Sequence, residues 1–244
     1  MLIPCLECRK EFSLQARSCP NCGFPLPKGI AASLEDGYIS NDAKTLCRQY
    51  FDMGLKDTAR AICSTFLDAV KRKKGCDQAL GDLGYYSYHT GLLKEIGEYA
   101  QAKQVQEECV SLMRRRFENE STHITRREYL IALFDLGVID SFLGNKDELI
   151  ESSNRSLRVL KSIPDSEEKQ IETGDYYYHF AICAVIIQDV EKAVELLRKA
   201  QKYPSFENGN GGLSSIQWYL SVMEKNGIST VGVRQRLRIE GWET

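Results

Sequence analysis

One turn, repeated, most constrains this chain. It reads MGLKDTA around Gly54, IGEYAQA around Gly97, LGNKDEL around Gly144 and IQDVEKA around Gln188. Each copy follows an apolar helical pattern and precedes another. Five positions on stands a small or apolar residue: Ala59, Ala102, Leu149 and Ala193. Glycine or a polar residue ends the first helix, and the small side chain lets the second pack closely against it. A fifth turn, KNGISTV around Gly227, follows Leu213 to Lys225 and precedes a shorter helix. The pattern predicts a mainly α fold of four to five antiparallel helical hairpins from Asn41 onward. The stretch Leu133 to Leu149 is its clearest instance.

These hairpins resemble a tetratricopeptide-type array over most of Asn41 to Leu237. Leu136-Gly137 supplies the large-small pair where the first helix meets the second, as do Leu46-Cys47 and Phe180-Ala181. Tyr177, Ala184, Ala193, Leu197, Ala200 and a closing Pro204 make the fourth hairpin the best match. The second, with His89-Thr90 at the pair, is the poorest. The turns stand 43, 47, 44 and 39 residues apart, whereas a standard repeat of that family takes about 34. Such lengths also suit HEAT-type pairs, and both are α-solenoids.

The resemblance implies a groove lined by the first helix of each hairpin. Lys44, Arg48 and Asp52 face it in the first hairpin, with Asn41, and Ser87, Gly91, Lys94 and Glu95 in the second. Ile131, Phe134, Val138 and Phe142 follow in the third, then Tyr178, Ile182, Val185 and Ile186 in the fourth. The groove is thus expected to run from polar to apolar and to hold a protein or peptide partner. The alternative is that these apolar faces are buried, covered by Gly212 to Arg238. Lys44, Arg48 and Lys94 resemble a carboxylate clamp but lack its asparagines, so a solvated face is the expectation. The Tyr-rich stretches at Gly84 to Gly91 and Gly174 to Ala181 read as packing between helices. His89 and His179, without a second ligand at metal spacing, read as core-edge residues. Phe206 to Gly212 reads as a loop, and the arginines 234, 236 and 238 as a solvated capping helix.

Ahead of the hairpins stand two CxxC pairs, Cys5/Cys8 and Cys19/Cys22, ten residues apart. Thiolates three positions apart can face one ion across a tight turn, and a second such turn completes a tetrahedron. Four protein thiolates leave no position for a reactive water, so the expected ion is a single structural Zn²⁺. Iron with the same ligands and a redox dithiol are the alternatives. CLECRKEFSLQARSCPNCGFPL closely resembles the short zinc ribbons of bacterial proteins over Ile3 to Leu26. It departs from them at Arg9, where glycine is usual. Phe12 and Phe24 read as the small core of this module, with Ser13 starting a helical turn. The expected organisation is a zinc ribbon over 1–27, a linker over 28–40 with a helical turn at Ile30 to Glu35, and the repeat domain over 41–244.

Composition narrows the function. A net charge of −2 argues against a chain built to neutralise phosphate. No apolar run approaches the roughly 20 residues of a membrane span, and with four residues ahead of Cys5 a signal peptide is not expected. Cys47, Cys63, Cys109 and Cys183 sit within helical patterns as buried thiols, which fits a reducing, cytoplasmic setting. The sequence shows no nucleophile–base pair, HExxH helix or phosphate-binding fingerprint. The expectation is a non-enzymatic scaffold or adaptor. The alternatives are a nucleic-acid-associated regulator using the ribbon, and a zinc or redox sensor gating the array.

Overall fold

At each of the five expected turns one residue takes a left-handed backbone: Gly54, Gly97, Gly144 and Gly227 at φ 72–78°, and Gln188 at φ 61°. The closing hydrogen bonds repeat as well. The residue after the left-handed one donates its N–H five residues back: Leu55 to Tyr50, Glu98 to Leu93, Asn145 to Asp140, Asp189 to Ala184 and Ile228 to Met223, each at 2.9 Å. The left-handed residue itself donates to the carbonyl three back. This doubly bonded ending satisfies carbonyls that a helix terminus otherwise leaves open.

In the computed structural model, which describes residues 1–36, 40–75, 83–203, 212–225 and 227–241, the elements are two short strands and eleven helices. Strands β1 (Leu2–Pro4) and β2 (Glu11–Ser13) pair antiparallel, Ile3 opposite Phe12. Helices α1 (Lys28–Asp36), α2 (Asn41–Asp52), α3 (Lys56–Lys74), α4 (Leu83–Glu95) and α5 (Tyr99–Glu120) follow. Then come α6 (His123–Leu143), α7 (Lys146–Lys161), α8 (Glu167–Ile186), α9 (Val190–Ala200), α10 (Gly212–Lys225) and α11 (Val231–Ile239). The chain forms two compact units, 1–105 and 106–244, dividing within α5. Pro204 and the expected loop from Phe206 lie outside the described residues, while Gly212 begins α10.

In the first unit α2 packs on α3, and both pack on α4. Lys44 lies over the Tyr88 ring at 5.4 Å and Arg48 pairs with Glu95 at 3.4 Å, so these two cations tie α2 to α4. Of the basic residues expected on a solvated face, exposed Lys44 and half-buried Arg48 thus also join first helices, while Lys94 is buried. Tyr85 and Tyr86 are buried and meet edge to face at 5.4 Å.

Segment 28–40 departs from the expected linker. Its first nine residues are helix α1, packed on α2 and α3. Gly29 donates its N–H to Asp42 Oδ2 at 2.9 Å, and Ser33 bonds both the Gly29 carbonyl and Ser40. Ile30 fills the core beneath, 1% exposed. A Cβ on Gly29 would meet Asp42 Cγ and Ser40 Oγ at 2.9 Å, closer than side chains tolerate. Helix α1 is thus held by polar groups bonded across it to Ser40 and Asp42, a relation between distant residues that local composition does not display.

In the second unit α6 packs on α7 and α8, and α8 packs on α7, α9 and α10. Gly137 lies where three helices meet: a Cβ there would touch Phe180 at 3.3 Å, Leu149 at 3.4 Å and Cys183 at 3.6 Å. Leu136-Gly137 thus stands at the contact of first and second helix. Thr122 and Thr125 form a capping box that starts α6, and Ser166 caps α8. Arg198 holds Glu240 with a two-pronged pair, and Arg236 joins Glu191 and Glu240, tying α11 to α9. Two of the three C-terminal arginines expected to be solvated are therefore paired, since Arg234 also meets Glu224 at 2.8 Å. No helix among the described residues is long and apolar enough to cross a membrane.

Candidate metal centre and apolar cleft

The two CxxC turns adopt the same backbone geometry. Arg9 N–H donates to the Cys5 carbonyl at 3.0 Å, and Gly23 N–H to the Cys19 carbonyl at 2.8 Å. Cys5 N–H meets the Lys10 carbonyl as Cys19 N–H meets the Phe24 carbonyl. Both fifth residues are left-handed, Arg9 at φ 64° and Gly23 at φ 78°. Arg9 thus takes the conformation for which glycine is the usual residue. Ser13 closes the turn after β2, its hydroxyl accepting from Gln15 N–H at 3.2 Å.

These turns bring four sulfurs within 4.8 Å of one another, Cys5 to Cys22 and Cys8 to Cys19 at 3.6 Å. A tetrahedral ion with metal–sulfur bonds of about 2.3 Å sets sulfurs roughly 3.8 Å apart. The cluster therefore fits one ion. Glu7 N–H points at Cys5 Sγ (3.4 Å) and Asn21 Nδ2 at Cys19 Sγ (3.9 Å), donors that steady thiolate charge. Four thiols so close cannot all ionise alone. Desolvation pushes Cys19 up, but bonds from the Asn21 and Cys22 amides and from the Cys8 and Cys22 thiols outweigh it and bring it to about 6. The Phe24 amide lowers Cys22, yet desolvation and its three neighbouring sulfurs push it up to about 12. A cation removes that conflict.

The module is docked, not tethered. Tyr50, wholly buried in α2, donates its hydroxyl to the carbonyl of Pro4, the residue before the ligand Cys5. Arg9 reaches Met53 Sδ at 3.7 Å, and Thr65 of α3 meets Met1 Sδ at 3.2 Å. Ile3, Phe12 and Leu14 are 3% exposed or less, so Phe12 belongs to the core. Phe24 is half-buried.

The expected apolar groove is not open. Phe134, Val138, Ile182 and Val185 are at most 3% exposed, and Ile131, Phe142 and Tyr178 are half-buried. Phe134 packs against Phe180 at 5.9 Å and stacks on His179 at 4.7 Å. Helix α10 packs on α8 with Ile216, Leu220 and Met223 buried, and sets Tyr219 against Phe142 at 6.2 Å. The first-helix faces of the third and fourth pairs are core, because α8 packs on α6 and α10 at once. The alternative weighed from sequence, coverage by the C-terminal segment, describes them.

A second apolar surface runs along α8, where Tyr177 and Ile187 are half-buried and Tyr176, Phe180, Cys183 and Ala184 are buried. A cleft of about 520 Å³ runs between α7 and α9, floored by Tyr176, Tyr177, Phe180, Cys183, Ala184 and Ile187. Leu149, Ile150 and Leu157 form one wall, and Lys192, Leu196 and Lys199 the other. Each set recurs every three or four residues, so the periodicity was present in the sequence. What sequence lacks is which of two apolar faces α10 would cover. Tyr176 is held by Ser153 at 2.8 Å.

The other described cysteines, Cys47, Cys63, Cys109 and Cys183, are buried. Burial pushes Cys109 and Cys183 up to about 12, and Cys47 rises well above its ordinary value, mainly through its bond with Cys63. The eight described cysteines are free thiols. Compared with known proteins, the chain matches no family model, no curated protein and no solved structure.

Proposed function

We propose that this chain is a non-catalytic cytoplasmic adaptor. In this reading the five helix pairs are tetratricopeptide-like repeats of an α-solenoid, and the four-cysteine module is a zinc ribbon holding one structural Zn²⁺. The array holds a protein or peptide partner, and the ribbon is a rigid second contact module. The supporting observation is the apolar cleft between α7 and α9, with Ile150 57% exposed at its edge. A surface apolar side chain beside a concave apolar floor is the usual form of a recognition site.

The docked ribbon bears on how this is tested. A chain cut at Ser40 would strip Ile3, Leu14 and Ile30 from the core, so the full chain is required. A photo-crosslinking residue at Ile150 of the full chain, expressed in its native cells, should capture one specific protein. The same label at exposed Lys44 should not. If position 150 captures nothing specific, the adaptor reading fails. Metal content tests the ribbon: one equivalent of zinc per chain is expected, and iron or less than half an equivalent counts against it.

A further inference from the structure

The cleft carries information about its occupant. It is long: from Lys146 to Leu157 its α7 wall takes eleven helical steps, about 16 Å at the helical rise. That is three turns of helix. Its floor is uneven, with small Ala184 and Cys183 between the larger Phe180 and Ile187. Side chains spaced by one helical turn can seat in such a floor.

Its rim is cationic. Lys146, Lys192 and Lys199 line it against a single acid, Asp189, which already accepts the Lys192 amide at 3.1 Å in capping α9. Glu195 bonds Lys192 at 2.9 Å and Lys199 at 2.6 Å. Each ammonium has three donors, however, and Glu195 takes one from each. Lys146 stands exposed at the other wall and forms no ion pair among the described residues. Counting Glu195, the rim keeps a surplus of one positive charge over an apolar floor.

We infer that the cleft between α7 and α9 binds an acidic amphipathic helix of a protein partner. Its apolar side chains lie on Phe180, Ala184 and Ile187, and its carboxylates face Lys146 on one wall and Lys192 and Lys199 on the other. The inference rests on the adaptor reading and adds the partner's chemistry. It also places recognition over α8 between the second helices α7 and α9, since the faces of α6 and α8 expected to form the groove are buried.

Peptide display against the full chain tests it, followed by fluorescence anisotropy with the enriched peptides synthesised and labelled. Enriched sequences should carry Asp or Glu together with Leu, Ile or Phe at i, i+3 or i+4, and i+7. Their affinity should fall at least tenfold in Ala184→Trp, which fills the floor, and in the triple change of Lys146, Lys192 and Lys199 to Glu. It should also weaken with salt. Ile150→Asp, at an exposed position, gives the same readout should the buried tryptophan disturb folding. Enrichment of basic or uncharged peptides, of peptides indifferent to Ile150→Asp, or of none overturns the inference. So does a concentration-dependent dimer abolished by Ile150→Asp, which assigns the cleft to a second copy. A protein captured at Ile150 by a basic or non-helical segment would leave the adaptor reading standing and this inference refuted.

Discussion

Arg9 and Gly23 occupy the same place in two matching turns, and only one of them suits it. The left-handed region costs a residue with a Cβ about 1–2 kcal/mol, so Arg9 at φ 64° carries a penalty that Gly23 escapes. Because metal binding and folding of such a site are one process, Arg9→Gly is expected to tighten binding of the proposed zinc about fivefold, or ~1 kcal/mol. Competition with a chromophoric chelator measures it. His89 offers a second test. Burial, then the charge of Lys71, pushes its imidazole from an ordinary 6.5 down to about 4, beside the Tyr85 ring at 5.9 Å. Between those values the unfolded chain binds more protons than the folded one, so stability falls as pH falls. His89→Gln should remove that acid-side loss, about 1–2 kcal/mol after solvent screening, read from urea midpoints at pH 7 and 4.5.

At the scale of the element, the turns explain why the helices end where they do. Four of the five use glycine, and the fourth uses Gln188 at φ 61° with the same pair of closing bonds. Hydrogen bonding therefore dictates the conformation, and the side chain only sets its cost. Gln188→Gly is expected to raise stability by about 1 kcal/mol and Gly144→Ala to lower it by a similar amount. Thermal midpoints of the two variants check this. Equal shifts in one direction would show that the turns are not equivalent. Helix α1 shows the converse. Its residues read as a linker with one helical turn at Ile30 to Glu35; the turn lies within the longer α1, and Asp42 and Ser40 clasp Gly29 and Ser33 from the start of the next helix.

At the scale of the molecule, the four-cysteine module and the rest of the first unit are one body. Tyr50 anchors the carbonyl beside Cys5, and desolvation, then the Cys5 charge, pushes its phenol up to about 12, so it stays a donor. Removing the proposed zinc with a strong chelator should therefore loosen α1 to α3 as well as the four-cysteine module. Amide exchange along Ala43 to Tyr50 is expected to rise at least tenfold, with the α6 to α9 core unchanged. Exchange confined to residues 1–27 would show an autonomous ribbon instead.

The helix pairs, their five turns and the four metal-facing cysteines were all legible in the sequence. Each rests on local geometry: a left-handed residue, a 3.6-residue period, two tight CxxC turns. Leu136-Gly137 was legible for the same reason, since close helix approach demands a missing side chain. The docking of the ribbon on Tyr50 and the clasp of α1 were not, because a hydrogen bond between residues 46 or 13 positions apart leaves no local trace. Nor was the open face. Helix α8 is apolar on two sides, toward Ile182 and Val185 and toward Phe180 and Ala184, and periodicity scores both alike. Only the placement of α10 over one of them left the other as the cleft.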